Sequence, residues 1–326
     1  MTGATRIAAV GAGRMGRGIA LAFAYAGYEV NLVDLRPRGA QASRKLADDA
    51  RAEMAASLAA LAELGAMPAD AVERVLARIR LVDEPSASAA LRAADVIFEG
   101  VTETLDAKRD VLARTCTLAR EDAILASTTS TILVTDLVPL VTHPERLLNA
   151  HWLNPAYVIP LVELSTHGGT SEAVVAQLRA LLEDIGKVPV VCGATPGYIV
   201  PRLQALVMNE AARMVEEGVA SAEEIDKATR YGMGLRFAAL GVVEFIDYGG
   251  NDILYYASRY LAERVSRERY APPAIVERLM HEGKIGLRSG EGFYDYRGRD
   301  VAAYRKDALG RVLGMLRHAG LYRAPR

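Results

Sequence analysis

Six residues near the start of the chain, Gly11-Ala12-Gly13-Arg14-Met15-Gly16, constrain it more than any others. Residues 6–10 (RIAAV) before them have the short apolar run of a buried strand. After them an apolar helix is expected to about Ala26, ended by Gly27, and residues 28–33 (YEVNLV) read as a second strand closing on Asp34. Strand, glycine turn, helix, strand is the order of a parallel βαβ unit. In such a turn Gly11 permits the tight bend, Gly13 lets a pyrophosphate approach the backbone, and Gly16 lets helix and strand pack closely. The amides of Arg14 and Met15 then point at the phosphates from the positive end of the helix. Asp34 is placed to accept hydrogen bonds from the adenosine ribose hydroxyls. It would repel a 2′-phosphate, which favours NAD over NADP, although Arg36 and Arg38 nearby would suit that phosphate.

The alternation continues along the chain. Residues 40–64 and 69–79 are Ala-rich with helical spacing and read as a helical pair broken by Gly65 and Pro68. Strands are expected at 95–100, 123–127, 147–153, 161–165 and 188–192, with a helix at about 105–119. After residue 193 the pattern changes. Thr195-Pro196-Gly197 opens a long helix to about Glu217, Ser221 with Glu224 has the spacing of a capping box, and no later segment reads as a strand. The expected fold is α/β: a Rossmann-type doubly wound sheet domain over 1–193, with the helical pair inserted at about 40–79. An all-helical C-terminal domain follows over 194–326, and the cleft between the two is the natural ligand site.

Bulk properties exclude several classes. The 326 residues suit two domains, and 39 basic against 40 acidic residues lack the basic excess of a nucleic-acid binder. The basic tail (Arg305, Lys306, Arg311, Arg317, Arg323, Arg326) reads as a solvated helix face. Cys116 and Cys192 are the only cysteines, too few for a disulfide framework and without metal-like spacing, so no metal site is expected. No apolar run reaches membrane-span length, and the glycines at 11–18 disqualify the N-terminus as a signal peptide. A cytoplasmic protein with a small-molecule substrate is expected.

Among five histidines, His151 stands out because it ends a strand, inside His-Trp-Leu-Asn-Pro (151–155). Open α/β sheets place their sites at such ends. Glu163 on the next strand could reach it. A carboxylate on one imidazole nitrogen fixes the tautomer and leaves the other nitrogen to take a proton from an alcohol while hydride leaves for nicotinamide. The same spacing also suits a core histidine bonded to a buried acid. Ser127-Thr128-Thr129-Ser130-Thr131 follows another strand end and could donate to a substrate oxygen, or simply cap a helix starting near Ile132.

Six segments in order, GAGRMGRGIA (11–20), EGVTETLDAKRDV (99–111), ASTTS (126–130), HWLNPAYVIPLVEL (151–164), TPGYIVPRL (195–203) and GKIGLRSGEGFYDY (283–296), resemble the 3-hydroxyacyl-CoA dehydrogenase family. The resemblance implies that His151 and Glu163 form the catalytic pair and that Ser130 contacts the substrate oxygen. It implies that Glu103 and Lys108 lie near the nicotinamide ribose, that Asn154 orients substrate and cofactor, and that Arg288 lies close to the cofactor. From the residues alone, Glu103 and Lys108 read equally well as an exposed pair at a helix start. A homodimer through the C-terminal domain is also implied, and the apolar, Tyr-rich segment 241–261 suits an interface or a core.

Three features depart from the family pattern. Pro201 stands where the family has an Asn that donates to the substrate oxygen, and proline inside a helix would kink it. The helical pair, where relatives bind coenzyme A, carries no lysine over 47–67. Residues 232–241 (GMGLRFAALG) look more like relatives acting on free hydroxy acids, with Arg236 as a fork for a carboxylate or as an exposed or interface arginine. The leading expectation is therefore NAD-dependent oxidation of an L-3-hydroxyacyl group, most simply a short-chain 3-hydroxyacyl-CoA, as in fatty acid metabolism. The alternatives are the same chemistry on a free hydroxy acid of gulonate or carnitine type, and a non-catalytic, crystallin-like NAD-binding protein.

Overall fold

Eight strands, most of them separated by helices, run from Ile7 to Gly193 in the computed structural model, which describes residues 5–324. Arg326 of the basic tail lies outside the described residues. The strands are β1 (Ile7–Val10), β2 (Val30–Val33), β3 (Ile79–Val82), β4 (Val96–Glu99), β5 (Ile124–Ser127), β6 (Leu147–Trp152), β7 (Leu161–Thr166) and β8 (Val188–Gly193). They form one sheet in the order β3-β2-β1-β4-β5-β6-β7-β8. β1 to β6 run parallel, β7 turns back against β6, and β8 runs parallel to β7. The strand order reverses on either side of β1, which is where doubly wound sheets open a crevice for ligand.

The helices of this part are α1 (Arg14–Tyr25), α2 (Ala40–Glu63), α3 (Ala71–Leu76), α4 (Ala87–Ala93), α5 (Leu105–Leu118), α6 (Val134–Leu137), α7 (Glu172–Asp184) and α8 (Val200–Glu216). Because layers cover the sheet on both faces, every residue of β1, β4, β5 and β6 is buried. On one face Ile7 and Ala9 join Phe23, Phe98 and Trp152, whose rings stand 5.4 Å (Phe23–Phe98) and 5.7 Å (Phe98–Trp152) apart. On the other, Ala8 and Val10 pack with Val33, Leu112 and Leu147. Full burial of one large apolar side chain stabilises by about 1.5–3 kcal/mol, so the two faces carry most of the driving force.

Several boundaries differ from expectation. The helical pair ends at Leu76, not 79, and Ile79–Val82 becomes β3, an edge strand. With Arg80 exposed and only four residues, its alternation is too short to stand out from the Ala-rich helix before it. Helix α4 likewise has no counterpart among the expected elements. The long helix expected from 195 starts at Val200, because Gly197 (φ 78°) and Tyr198 (φ 46°) turn the chain first. Pro201 therefore sits in the first turn, where a missing N–H removes no helical bond, and the expected kink has no cause. Gly197 O accepts from Arg202 N instead.

The described residues divide into two compact units between Val207 and Met208, within α8. The second unit holds α9 (Ala222–Lys227), a π-helical stretch (Ala228–Gly234), α10 (Leu235–Ala239), α11 (Val242–Gly249), α12 (Asn251–Arg264), α13 (Arg267–Tyr270), α14 (Ala274–His281) and α15 (Val301–His318). Ser221 caps α9 by accepting from Glu224 N, one half of the expected box. The buried Asp247 carboxylate accepts from Phe293 N (3.0 Å) and Tyr294 N (2.8 Å), which closes the 283–296 loop onto α11. A Cβ at Gly292 would lie 2.2 Å from Asp247 Oδ1, so only glycine admits this approach. Among the described residues no helix is long and apolar enough to cross a membrane.

Asp95, just before β4, ties the start of the sheet together. Its carboxylate accepts from Arg6 N (2.8 Å), Arg6 Nη2 (3.1 Å) and Arg120 Nη2 (3.0 Å). Burial alone raises its pKa, but the two guanidinium groups and the Arg6 amide outweigh that and hold it at about 2. A depressed acid contributes stability above its unfolded value, about 3.9, and loses it as pH falls towards the folded value. Asp95→Asn is expected to lower Tm at neutral pH, with the gap from the parent closing between about pH 4 and pH 2. A gap that stays constant down to the acid end would show that the pairing contributes nothing.

Candidate active site

The glycine turn opens onto a cavity of about 410 Å³ lined by Gly11, Gly13, Asp34, Arg36, Arg38 and Gly100 among others. Gly11 adopts φ 104°, and a Cβ there would lie 2.7 Å from Gly100 O. At Gly16 a Cβ would lie 1.9 Å from Gly11 O, so helix and strand meet only through glycine. A Cβ at Gly13 would touch no protein atom within 4 Å. Its space belongs to the cavity, beside the uncapped first turn of α1 where Arg14 and Met15 lie. The turn thus fits a pyrophosphate, and Asp34, directly after β2, lines the same cavity. Arg38 Nε donates to Asp34 Oδ2, while Arg36 Nη2 reaches Thr102 Oγ1 at 3.2 Å.

His151 and Glu163 are directly paired residues of antiparallel β6 and β7. Register therefore sets their side chains on one face, and Nδ1 lies 2.8 Å from Glu163 Oε2. The second oxygen, Oε1, accepts from Ile199 N (2.9 Å) and Val200 N (2.8 Å), the amides that open α8. Glu163 is wholly buried, and both oxygens are satisfied. Tyr198, one residue earlier, stacks on the His151 ring with centroids 4.9 Å apart and planes 8° from parallel. Its left-handed backbone is strained by roughly 1 kcal/mol for a residue with a Cβ. Burial pushes the Tyr198 phenol pKa up, so the hydroxyl keeps its proton and donates to Thr129 O at 2.8 Å.

Beside this pair lies a buried charge cluster that the sequence shows only after folding. Lys108 is 0 % exposed, which overturns its reading as half of an exposed pair. Its ammonium donates to both oxygens of Glu99 at 3.0 Å and lies 3.4 Å from Glu103 Oε2. Glu99 ends β4, is equally buried, and also accepts from Ser127 Oγ (2.6 Å) and Val101 N (2.9 Å). It was missed because a lone Glu in a strand-ending motif carries no spacing signal. Glu103 Oε1 in turn gathers Thr129 Oγ1, Ser130 N (2.7 Å) and Thr131 N (3.1 Å). Burial works to raise the Glu103 pKa, but these donors and the charge of Lys108 bring it below the ordinary value. The Ser/Thr segment is thus a turn wrapped on Glu103. Thr129 Oγ1 accepts from Ile132 N (2.9 Å) as an N-cap would, but α6 itself starts at Val134 with no side-chain cap.

The structure brings together His151, Glu163, Glu103, Lys108 and the Ser130 loop in the first unit. Ser130 is exposed, and its Oγ lies a long 3.3 Å from Glu103. Asn154 is exposed and lines a separate cavity of about 230 Å³ with Arg14, Arg17 and Tyr157. In the second unit Arg288 is paired with Asp252 at 2.5 Å, and Arg236 donates to Gly232 O while stacking on Phe245 at 5.0 Å.

A dinucleotide cradle and a buried His–Glu pair carried on a single sheet fit a nicotinamide-dependent dehydrogenase. Comparison with known proteins narrows that class. Residues 6–195 match the family model of the 3-hydroxyacyl-CoA dehydrogenase NAD binding domain, and 197–296 match that of the C-terminal domain. The probable 3-hydroxybutyryl-CoA dehydrogenase of Bacillus subtilis is 31% identical over 89% of this chain and 97% of its own. The 5-formyl-3-hydroxy-2-methylpyridine 4-carboxylate 5-dehydrogenase of Mesorhizobium japonicum is 30% identical over 95% of this chain and 97% of its own. The crystal structure of a 3-hydroxyacyl-CoA dehydrogenase from Archaeoglobus fulgidus superposes with a TM-score of 0.76 at 32% identity, covering 98% of this chain and 100% of that one. The chain belongs to the 3-hydroxyacyl-CoA dehydrogenase family and is an NAD-dependent oxidoreductase acting on CH–OH.

Removing the buried ammonium leaves Glu99 charged and unpaired in the interior. Lys108→Met is expected to destabilise the fold by about 3–5 kcal/mol in urea unfolding, and the double variant Lys108→Met/Glu99→Gln to recover part of that. A single variant as stable as the parent would show that the buried pair contributes nothing to stability.

Proposed function

We propose that this protein oxidises the hydroxyl of an L-3-hydroxyacyl group to the 3-oxo form, most simply on a short-chain 3-hydroxyacyl-CoA, with His151 as the acid–base residue. The observation that carries this is the His151–Glu163 contact of 2.8 Å on a carboxylate whose other oxygen is held by two amides. Glu163 fixes Nδ1 as the protonated nitrogen and leaves Nε2, which has no protein hydrogen bond among the described residues, to take the hydroxyl proton. When bound, NAD supplies the nicotinamide that accepts the carbinol hydrogen as hydride. Glu163 then steadies the imidazolium formed on His151. The exposed Ser130 hydroxyl, a long 3.3 Å from Glu103 Oε1, donates to the substrate oxygen. Gly11, Gly13, Arg14, Met15 and Gly16 receive the pyrophosphate, and Asp34 the adenosine ribose. Glu103 reaches the nicotinamide ribose with Lys108 behind it, and Asn154, which shares a cavity wall with Arg14 of the glycine turn, orients substrate and cofactor.

A second reading, a free hydroxy acid as substrate, is favoured by one observation. Between residues 40 and 76 four cations face six acids, a balance of −2. Lys45, Arg51 and Arg74 are each held by a carboxylate at 2.7 Å. Coenzyme A brings several phosphate charges, and this surface offers them little. The name of the Mesorhizobium relative likewise describes a substrate with a free carboxylate. We further propose a homodimer through the second unit, where Ile253, Tyr256 and Tyr260 form an exposed stripe at helical spacing on α12. Both cysteines are free thiols, which suits the cytoplasm.

His151→Ala is expected to lose about 10²–10⁴ in turnover while still quenching NADH fluorescence with parental affinity. Turnover at the parent rate would remove His151 from the chemistry. Acetoacetyl-CoA should support NADH oxidation, and turnover of free hydroxy acids alone would establish the second reading. NAD should be preferred over NADP, and a tenfold preference the other way would deny Asp34 its role.

A further inference from the structure

The TPGYIV turn does more than start α8. Three consecutive residues grip the acid–base pair from two sides: Tyr198 lies flat on His151, and the amides of Ile199 and Val200 hold Glu163 Oε1. For the ring and those amides to face the same pair, Tyr198 must take φ 46°, a conformation that L residues avoid unless surroundings impose it. The same side chain also reaches the substrate loop. Its hydroxyl donates to Thr129 O (2.8 Å), the residue before Ser130, and accepts from Asn149 Nδ2 (3.0 Å). Asn149 is itself buried on β6, two residues before His151, and its amide also donates to Ile132 O (3.0 Å), on the far side of the loop.

Resting on the reading of His151 as the acid–base residue and Ser130 as the substrate contact, we propose that Tyr198 is a positioning residue that holds these two parts in fixed relation. The ring sets the plane of the imidazole, and the hydroxyl sets the height of the Ser130 loop. A packed aromatic face permits little tilt, and Glu163 alone fixes only one nitrogen, so rotation about the Nδ1–carboxylate axis is stopped by Tyr198. The two functions are separable because they use different atoms of one side chain.

Tyr198→Phe keeps the ring and removes the tie to Thr129, whereas Tyr198→Leu removes both. Expected for Tyr198→Phe is a several-fold rise in KM for the alcohol substrate with kcat within about twofold of the parent. Expected for Tyr198→Leu is a fall in kcat of roughly tenfold to a hundredfold, the usual penalty of misplacing a catalytic group by about 1 Å. NADH affinity, read by fluorescence, should be unchanged in both. Asn149→Ala, which leaves the ring in place, should resemble the Phe variant and keeps the test open if Tyr198→Leu does not fold. Parental kcat in Tyr198→Leu, or parental KM in both Tyr198→Phe and Asn149→Ala, overturns the proposal. Measured alongside, His151→Ala separates the two ideas: if it is inactive while Tyr198→Leu is fully active, only the role of Tyr198 falls.

Discussion

The Glu163 carboxylate is the constraint on which the site depends. A charge with no exposed surface must be met by donors on both oxygens or it unfolds its surroundings. Here His151 meets one oxygen and the amides of Ile199 and Val200 meet the other. That requirement joins three elements. β6 and β7 must pair in the register that sets residue 151 opposite 163, and the chain after β8 must turn back to present its amides. The left-handed Tyr198 and the proline at the first turn of α8 follow from the same demand. A residue that looked like a defect, Pro201 in place of a polar donor, is compatible with the helix because the helix begins there.

A second buried charge network meets the first through the Ser/Thr loop. Lys108 neutralises Glu99 and leans on Glu103, and Glu103 collects the donors of residues 129–131. The loop is therefore held from below by a carboxylate and from the side by the Tyr198 hydroxyl. Neither tie involves the reacting atoms. Both bear on where the Ser130 loop stands, and supporting contacts of this kind hold a loop within tenths of an ångström of its place. Exposed pairs elsewhere, such as Lys45–Asp49, are worth little by comparison because water screens them.

Charge on the helical pair bears on the substrate more than the dyad does. In the proposed reaction the His–Glu pair handles the hydroxyl alone, and the rest of the substrate is met elsewhere. Phosphate recognition needs uncommitted cations in number. Three of the four cations on the helical pair are committed to carboxylates, and the Mesorhizobium relative, 30% identical, carries a name that describes a free carboxylate.

From the residues alone came the βαβ start, the glycine turn with Asp34, the α/β class with its helical second part, and His151 opposite Glu163. These depend on local spacing, on strand periodicity and on residue types that have few other uses, all of which survive in a linear string. Only the folded chain revealed β3, whose four residues pair as an edge strand, and the burial of Lys108, whose partner Glu99 sits at the end of another strand. The stacking of Tyr198 on His151, the wrapping of residues 129–131 on Glu103 and the Asp247 knot in the second unit were equally hidden. Each joins groups that lie far apart along the chain or whose meaning changes with burial. Sequence spacing records neither the distance between such groups nor the loss of water around them, and it is that loss which turns an ordinary charge or ring into a fixed part of the site.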